Sequence, residues 1–137
     1  MLNFVIFFSI ACSSQESSLP TIAHNDAIQQ RSKITVINVE EFKERWEKQD
    51  IIVLDVRTLD EFNAGHVPKA KHIPLHHLPK QFTSLSQYKN QDIYLICAVG
   101  GRSEKAQELL LKEGFSKAIN VDGGTNEWAS KGYPLEK

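Results

Sequence analysis

Cys97 is the side chain of this sequence best placed to do chemistry. It ends the apolar run IYLIC (residues 93–97) and is followed by two glycines, Gly100 and Gly101, and then by an amphipathic segment. Consecutive glycines allow positive φ, so that successive backbone N–H groups can point inward and form an anion-binding nest. The N-terminus of a following helix adds unsatisfied N–H groups and partial positive charge. The stretch therefore predicts a cradle for a negative charge on the Cys97 sulfur.

Direct hydrogen bonds, not the helix dipole, would have to ionise this thiol. A helix end contributes about 0.3–1 kcal/mol at an exposed site, which is less than one pKa unit. Burial at the end of an apolar strand acts in the opposite direction. Several charge-assisted N–H···S contacts, each worth roughly 1.5–3 kcal/mol, could lower the pKa to that of a reactive cysteine. The alternative is a small buried hydrophobic residue, the usual role of a free cysteine. The glycines and the following helix favour a preorganised thiolate.

The N-terminus has the character of a targeting segment. Residues 1–12, MLNFVIFFSIAC, are apolar but shorter than the roughly 20 residues of a membrane-spanning helix, and they are typical of a signal peptide. Their ending, Ser9-Ile10-Ala11-Cys12, resembles a bacterial lipobox, which implies lipidation of Cys12 and a periplasmic or outer-membrane location in the cell envelope. The alternatives are a secretory signal removed by cleavage and a membrane-associated tail. Residues 13–33 are Ser-rich and predict a flexible tether.

Composition limits the other possibilities. With 137 residues the chain has room for one domain. Its 16 basic and 17 acidic residues give no electrostatic footprint for nucleic acid, and contact with a membrane is expected only through the N-terminal anchor. There are two cysteines. If Cys12 carries lipid, Cys97 is the sole free thiol in an oxidising compartment, without a partner for a disulfide.

From about residue 34 the chain alternates short apolar runs with helical patterns, which indicates βαβ units. Asn38 is a plausible N-cap for a first helix, with Glu41 three residues on. The runs at 51–55 and 93–97 are continuous, as expected of strands covered on both faces, and they end in Asp55 and Cys97. Ligands of open α/β sheets bind at these carboxyl ends. We therefore predict an α/β domain over residues 34–137, with a central, mostly parallel sheet of about five strands flanked by helices.

Three separated motifs resemble those of a single rhodanese domain, a three-layer α/β fold. LDVRTLDEFNAGHVPKAKHIP (residues 54–74) is similar to the family's N-terminal signature. VDGGTNEW and GYP (residues 121–128 and 132–134) are similar to its C-terminal signature, and Cys97 matches its catalytic cysteine. The residues of the first motif that stand at family positions are Asp55, Arg57, Glu61, Phe62, Gly65, His66, Pro68, Ala70, Ile73 and Pro74.

The resemblance implies a cofactor-independent, ping-pong sulfur transfer. The Cys97 thiolate would take a sulfane sulfur from thiosulfate, a polysulfide or a persulfide, and pass it to a thiol, to cyanide or to a protein acceptor. Arg102 would lie at the rim of the site and orient an oxyanion donor, unless it is an ordinary surface arginine. The remaining residues expected to line the substrate site are Ala98, Val99, Gly100, Gly101 and Ser103.

The same loop separates this function from related ones. Cysteine phosphatases place five residues between the cysteine and the arginine, whereas four separate Cys97 from Arg102. Ala98 and Val99 are apolar where several thiosulfate-using members carry a basic residue, which implies poor use of thiosulfate. A second hypothesis is a non-catalytic binding or regulatory module of the same fold, in which Cys97 is incidental.

The other polar residues near these motifs are expected to be structural. Asp55 and Arg57 resemble the family's ion pair after the second strand, although a carboxylate at a strand end could also serve as a base. His66 is expected in a turn, and His76 and His77 in a solvated loop. These histidines, with His72, lack a second cluster that would complete a metal site, so we predict none.

Overall fold

The five strands form one sheet in which every strand pairing is parallel. The computed structural model describes residues 34–137, so the predictions for residues 1–12 and 13–33, including lipidation of Cys12, lie outside the described residues. The spatial order of the strands is β1-β5-β4-β2-β3. Their bounds are β1 Thr35–Ile37, β2 Ile52–Asp55, β3 Lys71–His72, β4 Ile93–Ile96 and β5 Ala118–Val121. The predicted α/β class and the five-stranded sheet are confirmed.

Helices connect the strands and cover both faces of the sheet. The α-helices are α1 Val39–Lys48, α2 Leu59–Ala64, α3 Phe82–Leu85, α4 Gly101–Lys112 and α5 Gly124–Ser130. Two 3₁₀ helices, Leu75–Gln81 and Ser86–Tyr88, flank α3. As predicted, the Asn38 side chain caps α1 by accepting a hydrogen bond from the Glu41 N–H at 2.8 Å. Within residues 34–137, no helix is both long and apolar enough to cross a membrane.

Alternate residues of the central strands enter two separate hydrophobic cores. Leu54 and Leu95 belong to one core, and Val53 and Tyr94 to the other. Because successive side chains of a strand point to opposite faces, the two cores lie on the two sides of the sheet. All four residues of β4 are fully buried, which explains why their apolar run is continuous and not alternating.

The segment between β2 and β4 contains helical turns where the sequence predicted a loop. His76 and His77 are exposed, as expected, but they lie in a 3₁₀ helix and not in a loop. Strand β3 has only two residues, Lys71 and His72, which is too short to produce a period in the sequence. It pairs with the end of β2, with Lys71 opposite Leu54 and His72 opposite Asp55.

Candidate functional site

Cys97 follows directly after β4, at the carboxyl edge of the sheet. Its neighbours across the sheet are the ends of β2 and β5, so the sulfur lies where several strands terminate. The residue is 1 % exposed. Burial of a thiol at this edge is compatible with either a packing or a chemical role, and the polar atoms around the sulfur decide between them.

Hydrogen-bond donors surround the Cys97 sulfur. The backbone N–H of Gly100 donates to Sγ at 3.1 Å, and the Ser103 hydroxyl lies 3.4 Å from it. The same hydroxyl lies 2.9 Å from the Gly100 carbonyl oxygen. It has a single proton, which can bond either to this oxygen or to the sulfur. A thiolate is the stronger acceptor, so ionisation of Cys97 draws this proton toward the sulfur.

These donors outweigh the effect of burial on the thiol. Burial raises the pKa of Cys97, but the Ser103 hydroxyl and the backbone N–H groups of Ser103, Gly100 and Val99 lower it by hydrogen bonding. The net pKa is below the ordinary thiol value. The donors come from the first turn of α4 and the loop before it, which is the cradle that the sequence predicted.

Only one of the two loop glycines adopts a positive φ. Gly100 has φ +113°, and a Cβ at that position would lie 2.9 Å from Asp122 Oδ1. Gly101 is the first residue of α4, where a helical backbone requires negative φ, and a Cβ there would meet nothing within 4 Å. The prediction that both glycines supply positive φ is therefore wrong for Gly101.

A second helix holds the loop from behind, and sequence reasoning did not anticipate it. The Thr125 N–H donates to the Cys97 carbonyl at 2.8 Å and the Asn126 N–H donates to the Ala98 carbonyl at 3.0 Å. Gly124 permits this approach, because a Cβ on it would lie 2.3 Å from the Cys97 carbonyl oxygen. The available signal was the glycine pair before Thr125, which matched a family signature but did not reveal its partner.

Arg102 is paired with Glu61 across the mouth of the site. Its Nη1 and Nη2 donate to Glu61 Oε2 and Oε1 at 2.7 and 2.6 Å. Hydrogen bonds from Arg102, and from Thr58, lower the pKa of Glu61 to about 2, although burial acts to raise it. Glu61 in turn raises the pKa of Arg102. The negative charge of an ionised Cys97 sulfur also raises the pKa of Arg102. Sequence reasoning placed Arg102 at the rim but did not identify its partner, which is 41 residues away.

Asp55 and Arg57 form a buried ion pair. Arg57 Nε donates to Asp55 Oδ1 at 2.9 Å and Nη2 donates to Oδ2 at 2.6 Å. Arg57 Nη2 also donates to the Gly65 carbonyl at 2.8 Å. Asp55 is 0 % exposed and both its carboxylate oxygens are occupied by Arg57. The pair thus links the end of β2 to the end of α2, and this arrangement supports a structural role.

The nearby histidines are also held by structural contacts. His66 Nδ1 lies 3.0 Å from the Phe62 carbonyl oxygen, and its ring stacks on the Phe62 ring at 3.7 Å. His72 Nε2 lies 2.9 Å from the Arg57 carbonyl oxygen. Among residues 34–137, no group of three His, Cys, Asp or Glu side chains is arranged to hold a metal ion.

A cavity of about 420 Å³ opens beside the Glu61–Arg102 pair. Its lining residues are Val56, Arg57, Thr58, Pro74, Leu75, His76 and Arg102. Arg102 therefore contacts both this cavity and the surroundings of the Cys97 sulfur. A small molecule in the cavity would lie next to the loop that carries the thiol.

Comparison with known proteins identifies the family. Residues 38–131 match the rhodanese-like domain. The putative sulfur carrier protein YrkF of Bacillus subtilis is 39 % identical over 101 residues, which are 73 % of this chain and 54 % of YrkF. A sulfurtransferase of Allochromatium vinosum is 31 % identical over 87 residues, 64 % of this chain and 79 % of that protein.

Solved structures agree with the sequence match. The rhodanese-like domain protein of Staphylococcus aureus is 34 % identical, with a TM-score of 0.67 over 76 % of this chain and 100 % of that one. A rhodanese-related protein of Thermoplasma volcanium is 30 % identical, with a TM-score of 0.67 over 74 % of this chain and 97 % of that one. The family match covers more than half of the chain and the parallel sheet agrees with it, so this protein belongs to the rhodanese-like domain family.

Proposed function

We propose that this protein is a sulfurtransferase that carries a sulfane sulfur as a persulfide on Cys97. The single observation that carries the proposal is the set of donors around the Cys97 sulfur, with the Gly100 N–H at 3.1 Å and the Ser103 hydroxyl at 3.4 Å. A buried thiol that served only for packing would not need these donors. The names of two relatives, a sulfurtransferase and a putative sulfur carrier, support the same class of reaction.

The reaction has two balanced half-steps. The Cys97 thiolate attacks the sulfane sulfur of the donor, a new S–S bond forms, and the donor's own S–S bond breaks with its electron pair on the leaving group. With thiosulfate the leaving group is sulfite, and with an organic persulfide it is a thiolate. A thiolate or cyanide then attacks the outer sulfur, and the Cys97 thiolate leaves. The hydrogen-bond donors around Sγ stabilise both the Cys97 thiolate and the persulfide anion.

Mass spectrometry of the full chain tests the proposal. After exposure to thiosulfate, to a polysulfide or to an organic persulfide, we expect the peptide containing Cys97 to gain about 32 Da, the mass of one sulfur atom. Subsequent cyanide should remove this mass and release thiocyanate. Failure of every donor to modify Cys97 would contradict the proposal and would favour a non-catalytic binding module.

Two variants provide matched controls. Cys97→Ser should abolish the mass gain and the thiocyanate, whereas Cys12→Ser, which removes the other cysteine, should leave both unchanged. An aryl phosphate is the control substrate for phosphatase activity. Hydrolysis of that compound dependent on Cys97, without sulfur loading, would assign the loop to phosphate chemistry instead.

We also propose that Cys12 is lipidated and anchors the protein in the cell envelope. The support is the likeness of Ser9-Ile10-Ala11-Cys12 to a lipobox behind an apolar segment. A palmitate analogue fed to cells should label the native chain and not Cys12→Ser. Equal labelling of both chains, or none of the native chain, would contradict this proposal.

A further inference from the structure

The positive charge of Arg102 is already neutralised by Glu61 in the absence of a sulfur-donor molecule. Both its terminal nitrogens donate to the two carboxylate oxygens of Glu61, at 2.7 and 2.6 Å. Glu61 is held from its other side by Thr58, whose N–H and Oγ–H donate to Oε2 at 3.0 and 2.9 Å. The carboxylate is thus fixed at the N-terminus of α2 by a capping box and does not depend on Arg102 for its position.

The Glu61–Arg102 pair is ionised in the neutral pH range. Arg102 brings the pKa of Glu61 to about 2, so Glu61 is a carboxylate throughout the neutral range. The pKa of Arg102 is raised by the same contact, so the guanidinium is always charged. The net charge of the pair is zero. A ligand that approaches Arg102 meets a neutral dipole and not an isolated cation.

The second arginine at the cavity is compensated in the same way. Arg57, which lines the cavity with Arg102, donates to both oxygens of Asp55 at 2.6–3.0 Å. Among the described residues that line the cavity, His76 is the remaining side chain that can carry positive charge, and it is exposed. The cavity beside Arg102 therefore offers mostly apolar surface, and it offers little uncompensated positive charge to a doubly charged anion.

We propose that Glu61 is a specificity-determining residue that, by neutralising Arg102, selects sulfur donors of low negative charge over dianionic thiosulfate. This inference deepens the proposed function and rests on it. A dianion gains about twice the Coulomb energy of a monoanion from an unpaired guanidinium, so neutralising that guanidinium costs the dianion more. The carboxylate of Glu61 also repels the dianion more strongly.

Two donors that differ in charge provide the test. Thiosulfate is a dianion, whereas in methanethiosulfonate a methyl group replaces one charged oxygen and leaves a monoanion with the same sulfane sulfur. The Cys97 thiolate takes that sulfur from either compound, and the leaving group is sulfite from the first and methanesulfinate from the second. The comparison is made at one fixed pH for both compounds and all variants.

We expect the native chain to prefer methanethiosulfonate, as measured by kcat/KM for thiocyanate formation. Glu61→Gln should lower the KM for thiosulfate about tenfold and change that for methanethiosulfonate much less. The gain should shrink as ionic strength rises, since salt screens the interaction. Glutamine is also accepted at this position of a capping box, and thermal unfolding checks that the variant is folded.

Two further variants make the result specific. Glu44→Gln removes a carboxylate from an exposed ion pair with Lys48 on α1, and it should leave both donors unaffected. Arg102→Gln leaves the Glu61 carboxylate unpaired beside the site and should shift the preference further against thiosulfate. This second shift keeps the proposal testable even if Glu61→Gln folds poorly.

The outcomes separate this inference from the proposed function. If neither donor loads sulfur onto Cys97 of the native chain, the proposed function fails and the inference fails with it. If methanethiosulfonate loads Cys97 but the ratio of kcat/KM for the two donors is the same in the native chain and Glu61→Gln, only the role of Glu61 is overturned. A salt-independent change in that ratio would also overturn it, because the effect would then be steric.

Discussion

Burial and hydrogen bonding act on the Cys97 thiol in opposite directions, so its ionisation depends on individual donors. Burial raises the pKa, and four donors from three residues lower it. The Ser103 hydroxyl is the strongest of these and the only one on a side chain. It can be removed without altering the backbone that supplies the others.

We expect Ser103→Ala to raise the pKa of Cys97 and to slow its alkylation by iodoacetamide at neutral pH by about tenfold, the equivalent of one weak charge-assisted hydrogen bond. The sign follows from the thiolate being the reacting form, since a higher pKa leaves less of it at neutral pH. Peptide-resolved mass spectrometry measures the rate at Cys97. The control is Ser130→Ala, an exposed serine whose hydroxyl donates to the Glu127 carbonyl. Equal rates in the native chain and Ser103→Ala would show that the hydroxyl does not serve the sulfur.

Two helix N-termini hold the cysteine loop from different sides. The first turn of α4 and the loop before it supply donors to the Cys97 sulfur. The first turn of α5 supplies donors to the carbonyls of Cys97 and Ala98. The N–H groups in the first turns of both helices, which have no partner within their own helix, thus bind one loop and fix its conformation.

The two glycines at these helix starts should respond very differently to alanine. At Gly124 the new Cβ would lie 2.3 Å from the Cys97 carbonyl oxygen, at φ +57°, so Gly124→Ala should destabilise the fold by about 2–4 kcal/mol and displace the loop. At Gly101 nothing lies within 4 Å, so Gly101→Ala should change stability by less than about 1 kcal/mol and toward stabilisation. Urea unfolding measures both. Similar losses at the two positions would contradict the packing described for α5.

The Glu61–Arg102 pair joins α2 to α4, and its contribution to stability should depend on pH. The folded-state pKa of Glu61 is about 2, below the ordinary value of 4.5, so the contribution is present above about pH 4.5 and lost as the pH falls toward 2. Both side chains are about one-third exposed, and solvent screens the interaction between them. The pair therefore contributes about 1 kcal/mol to the free energy of unfolding. Glu61→Gln should therefore unfold at lower urea than the native chain at neutral pH, and the difference should narrow toward pH 2. A pH-independent difference would assign the effect to the cap and not to the charge.

Local features of this fold were predictable from sequence, and distant contacts were not. The Asn38 cap and the continuous runs of β2 and β4 are decided within a few residues, so their patterns are visible in the chain. The bonds from α5 to the Cys97 carbonyl span 28 residues and depend on the strand order. Nothing in the chemistry of Glu61 alone distinguishes a helix cap from a partner of Arg102, and it proves to be both.

Two hydrophobic cores on opposite faces of the sheet hold its carboxyl edge in place. Phe42 and Trp128 belong to the core that α1 and α5 cover, and their ring centroids are 5.3 Å apart. Cys97 itself belongs to the other core, beneath α4. The loop thus depends on packing against both faces, through α5 on one and α4 on the other.

Removing an aromatic ring from the first of these cores should destabilise the whole domain. Phe42 is 0 % exposed, and Phe42→Ala should cost about 3–5 kcal/mol of unfolding free energy in urea. Leu59 is 57 % exposed, and Leu59→Ala should cost less than about 0.5 kcal/mol. A small effect at Phe42 would mean that α1 is not part of the cooperative unit.

The pH dependence of Cys97 alkylation is the decisive measurement, because sulfur transfer by Cys97 requires a thiolate that the surrounding hydrogen-bond donors stabilise. The rate is followed at the Cys97 peptide in the native protein and in the same protein unfolded in urea, which supplies an internal reference for an unperturbed thiol. We expect the midpoint to lie at lower pH in the native protein, because hydrogen bonding to the sulfur lowers the pKa of Cys97 by more than burial raises it. A midpoint equal to or above that of the unfolded chain would contradict it.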